Sequence, residues 1–392
     1  MKIIADENMS AVQEVFAPYG KVETLAGRDI DAASVATADV LLVRSVTRVD
    51  EQLLEGSRVR FVGSATIGTD HIDLHYLRQK SIDFAHAPGC NAEAVVQYMF
   101  SVFCTLEPQW RDKKVGIVGC GNVGGRLFRR LSALGVECQV YDPLLSATDL
   151  NGADLSPIEC GALSDLQTVL GADIICLHTP LTRDGRFPTQ HLINQQALEE
   201  YIRPGALLIN AGRGGVIDNA ALLAHLRNGA DLNVALDVWE GEPDINVDLL
   251  QQINLATPHI AGYSLEGRLR GTLMVRDGMC RCLGLALEDG LCSSAVGLTV
   301  GEEGRAGDCL SLEVGQGLDE AILGSYPVAA DDRQMRKVLG GLGAKSGDRT
   351  GVLFDGLRKH YAQRCEFSYY SVSGPGARAC RSDLDLLGFK PV

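Results

Sequence analysis

Residues 114–127 read KVGIVGCGNVGGRL: an apolar run ends in glycines at Gly119, Gly121 and Gly124, and a helix-like stretch follows. With 44 glycines in 392 residues, about half a G-x-G-x-x-G match is expected by chance, so the context has to decide. Here the glycines directly follow Val115–Val118 and open an amphipathic segment, the order of strand, tight turn and helix. Missing side chains let a pyrophosphate approach the helix N-terminus, whose exposed N–H groups and backbone dipole favour an anion. The stretch therefore predicts a dinucleotide-binding turn with Gly119, Gly121, Asn122, Val123 and Gly124 around the cofactor.

The next apolar run, VECQVYD (136–142), ends in Asp142. A carboxylate in that place accepts both hydroxyls of an adenosine ribose and repels a 2′-phosphate. No Arg or Lys follows in DPLLSATD, so the cofactor expected is NAD rather than NADP. Read alone, Asp142 would be a turn former at a strand end.

Outward from this loop the pattern repeats. Downstream lie ADIICLHTP (172–180), GALLINAG (205–212) and NVALDVWEG (233–241), each alternating with helix signals; upstream lie KIIAD (2–6), DVLLVRS (39–45), RFVGSAT (60–66) and IDFAHAP (82–88). Such alternation predicts an α/β chain with parallel sheets, the later one a Rossmann-type doubly wound cofactor domain. The helix read in NAEAVVQYMFSVFCTL (91–106) bridges it to the first α/β domain. After Met279 Gly-rich text such as GLTVGEEGRAGDC replaces the alternation, and helix and strand signals return beyond it as a small α+β domain. The boundaries read are 1–95 for the first part of a substrate domain and 96–257 for the NAD-binding domain. Residues 258–285 are a return segment to the substrate domain, and 286–392 a C-terminal domain.

Bulk composition excludes several classes. Hydrophobic residues make up 46% and charged residues 22%, as in globular α/β enzymes. Fifty acidic against 36 basic residues give a net charge of −14, so no overall field attracts nucleic acid or an anionic membrane, and an anionic substrate needs local arginines. Twelve cysteines lack any C-x-x-C pairing, which argues against a metal site and suits reduced thiols in a cytoplasm. No signal peptide is read at the start, and no run reaches the roughly 18 apolar residues of a membrane span.

Three further stretches carry chemistry. INAGRGGVIDN (209–219) sets Arg213 in a Gly-flanked turn, where a guanidinium has room to grip a carboxylate bidentately; alone it would be a solvated turn arginine. ALDVWEGEPD (235–244) crowds Asp237, Glu240 and Glu242 around Trp239. TPHIAGY (257–263) brings His259, one of eight histidines. A hydride leaves an alcohol carbon only if the hydroxyl proton is also taken, a task for which imidazole has a suitable pKa, and a carboxylate on its other nitrogen fixes the tautomer.

In this order and spacing GCGNVG, INAGRGGVIDN, DVWEGEP and PHIAG resemble the D-isomer-specific 2-hydroxyacid dehydrogenases. The resemblance implies an Arg213, Glu242, His259 catalytic set, Asp237 and Thr179 on the nicotinamide side of the NAD, and Gly262 beside it. Glu240 has no such match and is read as a solvated neighbour. It also implies a flavodoxin-like substrate domain. DENM (6–9), VRSVT (43–47), GSATIGTDHID (63–73), HIAGYSLEG (259–267) and the tail segments DDRQMRKV and FDGLRKHYAQRCEFS resemble one branch of that family, with a phosphorylated substrate and a C-terminal dimerisation domain. There Ser45, Thr66 and Tyr263 match substrate contacts, and Arg44 is added here as a charge for the phosphate. Arg358 and Lys359 are read as candidates for reaching a partner's active site. The rival readings are another member of the family, acting for example on 3-phosphoglycerate, and a non-catalytic NAD-sensing protein. The partners expected are a small phosphorylated hydroxy acid and a second copy of the chain.

Overall fold

In the first half of the chain, strands β1 (Lys2–Asp6), β3 (Val40–Val43) and β4 (Phe61–Ser64) are almost wholly buried, as runs of apolar residues covered on both faces should be. With β2 (Lys21–Leu25) and β5 (Asp83–His86) they form one parallel sheet in the order β2-β1-β3-β4-β5, the flavodoxin-like arrangement. The period of two divides the core. Ile3, Ala5, Val40 and Leu42 pack with Val275 and Met279 of the helix Leu265–Leu283. Ile4, Leu41 and Val43 face the other way, toward Val49, Tyr76 and Leu77.

The computed structural model describes residues 1–145, 163–288, 308–342, 348–362 and 364–392. The Gly-rich stretch near residue 300 lies largely outside them. The chain divides into two compact units, one of Met1–Ala92 with Tyr263–Gly307, the other of Glu93–Gly262 with Asp308–Val392.

In the second unit β6 (Val115–Val118), β7 (Cys138–Tyr141), β8 (Ile174–Leu177), β9 (Ala206–Asn210), β10 (Leu232–Leu236) and β11 (Leu255–Ala256) form a parallel sheet ordered β11-β10-β9-β8-β6-β7. Leu163 adds a parallel bridge to Val140, outside β7, where the doubly wound order places its third strand. One face packs on the helix Ala92–Leu106 and Trp110, the other on Leu198, Leu222 and Leu249.

C-terminal residues enter both of these cores. Leu312, Ile322, Tyr326, Phe367 and Phe389 join the first, and Met335, Leu339 and Phe354 the second. Polar bonds add to the seam: Ala256 N–H donates to Asp332 (2.8 Å), and the Arg336 guanidinium donates to the carbonyls of Leu250 (2.7 Å) and Ile253 (2.9 Å). A small parallel sheet of β12 (Cys309–Ser311), β13 (Ser371–Ser373) and β14 (Lys390–Pro391) completes this part.

Candidate active site

The glycine loop leaves β6 where β6 and β8, neighbours in the sheet, diverge into opposite halves of the fold, the place where such sheets open a crevice. Gly119 has φ +89°, a left-handed turn that a side chain would strain. A side chain at Gly124 would collide with the Gly119 carbonyl, so that glycine lets the helix Gly124–Ala133 start against the strand. Nothing lies within 4 Å of the place a Gly121 side chain would occupy, which leaves open space in front of the helix. The Asp142 carboxylate closes the loop by accepting the Cys120 N–H at 2.9 Å. Burial, with Asp142 next to it, pushes the Cys120 thiol up to about 12, so it stays protonated. Thr179, past the end of β8, buries a hydroxyl with no partner among the described residues. Its neighbour His178 is pushed down to about 4 by burial and is neutral at working pH. Space, an open N-terminus and an unused hydroxyl fit a dinucleotide.

Strands β9, β10 and β11 lie side by side and deliver the other groups to the same sheet edge. From β10 comes Asp237, 1% exposed, whose carboxylate accepts from Thr257 Oγ1 (2.7 Å), Ile260 N–H (2.7 Å) and Ala261 N–H (3.0 Å). Burial raises this carboxyl, against the lowering pull of His259 and of its three donors. The Asp237 backbone carbonyl accepts the N–H of His259, which sits at φ +56°. A non-Gly residue there costs about 1–3 kcal/mol unless its surroundings fix it, and these bonds do so. The His259 Nδ1 lies 2.5 Å from Glu242 Oε1. Burial drives the Glu242 carboxyl up, but the His259 imidazole, its hydrogen bond and the Trp239 N–H outweigh burial and leave it below the usual range. With Nδ1–H donated to the carboxylate, Nε2 is left as the acid–base position.

Arg213 follows β9. The buried Asn210 at the strand end donates its Nδ2 to the Arg213 carbonyl (2.9 Å) and accepts from Gly212 N–H (3.1 Å), which shapes the turn. A side chain at Gly214 would meet the Trp239 carbonyl, so the arginine turn is packed against the loop that carries Glu242.

Glu240 keeps a side chain 35% exposed, as a solvated neighbour should, and is also hydrogen-bonded: it accepts from His191 Nε2 (2.6 Å) and from Asn219 N–H (3.2 Å), while the Asn219 side chain accepts the Glu240 N–H. His191, Asp218 and Glu240 bring ligand atoms within 4.8 Å of one another, but both carboxylates also accept helix N-terminal N–H groups, and the cluster reads as a clamp between the two loops. Within its own chain Arg358 lies 3.9 Å from Asp355 and close enough to Glu242 to help lower that carboxyl.

Sequence reasoning also missed Arg364. Its buried guanidinium stacks over the Tyr326 ring at 4.0 Å and donates to the carbonyl of Ala261, two residues beyond His259, at 2.5 Å. Only its position in a tail rich in Arg and Tyr could have drawn attention to it.

The predicted substrate-contacting residues belong to the first unit, whereas Asn122, Val123, Gly262 and Lys359 lie in the second. Arg44 and Ser45 leave β3, and Thr66 leaves β4 with its hydroxyl 2.6 Å from Ser64 Oγ and donating to the Gly68 carbonyl (3.0 Å). Tyr263 precedes Ser264, which caps the helix Leu265–Leu283.

Comparison with known proteins agrees with this geometry. Residues 101–261 match the sequence model of the D-isomer specific 2-hydroxyacid dehydrogenase NAD binding domain. The erythronate-4-phosphate dehydrogenase of Cellvibrio japonicus is 44% identical, with all of both chains covered. That of Teredinibacter turnerae is 45% identical over 99% of this chain and 98% of its own. Among solved structures, the D-lactate dehydrogenase of Aquifex aeolicus, complexed with NAD and lactic acid, superposes with a TM-score of 0.60 at 22% identity, covering 72% of this chain and 96% of its own. The chain belongs to the erythronate-4-phosphate dehydrogenases, a branch of the D-isomer-specific 2-hydroxyacid dehydrogenases.

Proposed function

We propose that this protein oxidises 4-phospho-D-erythronate at C2 to 2-oxo-3-hydroxy-4-phosphobutanoate, with NAD as cofactor, as a step toward pyridoxal 5′-phosphate. The observation that carries the reading is the 2.5 Å pair of His259 and Glu242, in a chain alike over its full length to relatives of that name. When bound, NAD supplies the acceptor for the hydride that leaves C2. The glycine loop, Asp142 and Thr179 are the residues to hold it, with Asp237 and Gly262 on its nicotinamide side. His259 Nε2 takes the proton of the C2 hydroxyl, and Glu242 stabilises the positive charge that then spreads to Nδ1. Arg213 grips the substrate carboxylate and keeps C2 oriented. Ser45, Thr66 and Tyr263 contact the polyol and phosphate end, with Arg44 as a counter-charge.

The test is an assay of the purified protein with 4-phospho-D-erythronate, supplied with a 2-oxoacid so that cofactor held on the enzyme is recycled. Turnover is expected, and His259→Ala should lower it roughly 10²–10⁴-fold while NAD still binds. Faster turnover of 3-phosphoglycerate, or none with any hydroxy acid, overturns the substrate assignment.

We also infer a cytoplasmic homodimer joined through the C-terminal residues. Supporting it are the buried thiols of Cys104, Cys120 and Cys176, which are held outside any disulfide, and an apolar depression of about 450 Å³ lined by Val338, Val352, Leu353 and Leu357, where Val352 is 72% exposed. No described helix is long and apolar enough to cross a membrane. A monomer by light scattering, at assay concentration, would sink the dimer.

A further inference from the structure

The edge of the five-stranded sheet at which β1, β3 and β4 end gathers positive charge. The register pairs Ala5 with Leu42 and Val43 with Ser64, so the chain leaves β3 at Arg44 directly between the loops that follow Asp6 and Ser64. The Arg44 guanidinium has no hydrogen bond or ion pair with any described residue. Across from it, Arg268 stands in the first turn of the helix Leu265–Leu283 and donates Nη2 to the Asn8 carbonyl, in the loop after β1, at 2.8 Å. That single bond leaves the rest of its fork unused.

The two cations oppose each other. Arg268 is held below the usual guanidinium range, first by the protein atoms crowded about it and then by Arg44, with Tyr263 and Asp6 pulling the other way. The Asp6 carboxylate offsets them only in part: fully buried, it accepts the Asn8 N–H at 2.8 Å and forms no ion pair with either arginine. Two guanidiniums kept close without a shared carboxylate are poised for one dianion, whose oxygens match their forks. Ser45 and Thr66 lie just past the ends of β3 and β4, and Tyr263 just before the helix that carries Arg268.

We propose that Arg268, together with Arg44, binds the phosphate of the substrate and so selects phosphorylated hydroxy acids. This rests on the reading above that the substrate carries a phosphate, and it adds a residue that had no role in the sequence reading. The bland alternative is that Arg268 only pins the Asn8 loop.

Inorganic phosphate is titrated calorimetrically into the full-length protein with NADH saturating, so that the glycine loop is occupied. Wild type should bind it. Arg268→Gln should raise the dissociation constant roughly 10-fold or more, the size of one charge-assisted contact, and Arg268→Lys should fall between. In the assay with 4-phospho-D-erythronate, KM should rise by a similar factor while kcat changes less than about threefold. Phosphate bound equally by wild type and Arg268→Gln, or not bound by wild type, overturns the proposal, as does a fall in kcat at unchanged KM. If Arg268→Gln does not fold, Arg44→Gln replaces it and must weaken phosphate binding by a comparable factor. Arginine-dependent phosphate binding in a protein that does not turn over 4-phospho-D-erythronate would support the anion site while refuting the substrate.

Discussion

Asp237 holds His259 from both of its ends: the backbone carbonyl accepts the His259 N–H at 2.7 Å, and the carboxylate accepts the next two N–H groups, of Ile260 and Ala261. The acid–base residue is thus fixed in a left-handed conformation by a side chain that need not touch the substrate.

Asp237→Asn is nearly isosteric but replaces one acceptor oxygen with a donor, leaving a loop N–H facing an amide. We expect kcat to fall at least about 10-fold from loss of loop geometry. Because burial raises this carboxyl, its contribution to stability is present below the ordinary Asp range and is lost as pH rises through the raised value. Urea unfolding should therefore show the variant gaining on wild type as pH rises through that window; a constant gap would refute the account.

For Glu242 the sign reverses. Its carboxyl is lowered, so its contribution is present above the ordinary Glu value of about 4.3 and is lost as pH falls through the lower native value. Glu242→Gln should flatten that part of the stability profile. Its amide can also donate to Nδ1 and so turn the imidazole to the wrong tautomer, with kcat falling roughly 10²-fold or more. Wild-type turnover by this variant would remove Glu242 from the mechanism.

The glycine loop separates folding from binding. A side chain at Gly121 meets nothing within 4 Å, whereas one at Gly124 strikes the Gly119 carbonyl. Gly121→Val should keep the thermal stability of wild type within a few degrees and lose NAD binding by fluorescence titration. Gly124→Val should lower Tm, expression or both. Normal NAD affinity in Gly121→Val would displace the cofactor from this loop.

Arg364 tests whether the C-terminal residues support the catalytic loop. Arg364→Met leaves the Ala261 carbonyl without its charged donor and removes the stack on Tyr326. We expect kcat to drop about 10-fold well below the variant's Tm, with partial recovery in Arg364→Lys. A lowered Tm with unchanged kcat would reduce Arg364 to a structural residue.

The sequence by itself determined the two parallel sheets, because apolar runs of four or five residues between helix signals can be buried only that way, and it determined the cofactor loop, because three glycines between a strand and a helix leave backbone and space where a phosphate must go. It also singled out Arg213, Glu242 and His259 as candidates, through short motifs whose order and spacing resemble a known family. What it could not contain was the company these residues keep. Glu240 is clamped by His191, 49 positions away, and Arg364 reaches Ala261 across 103 positions. Arg268 stands 260 positions from Asn8 and close to Arg44. Such pairs carry no local periodicity, because burial and hydrogen-bond satisfaction are decided by which chain segments the core brings together, and only the tertiary structure brings them together.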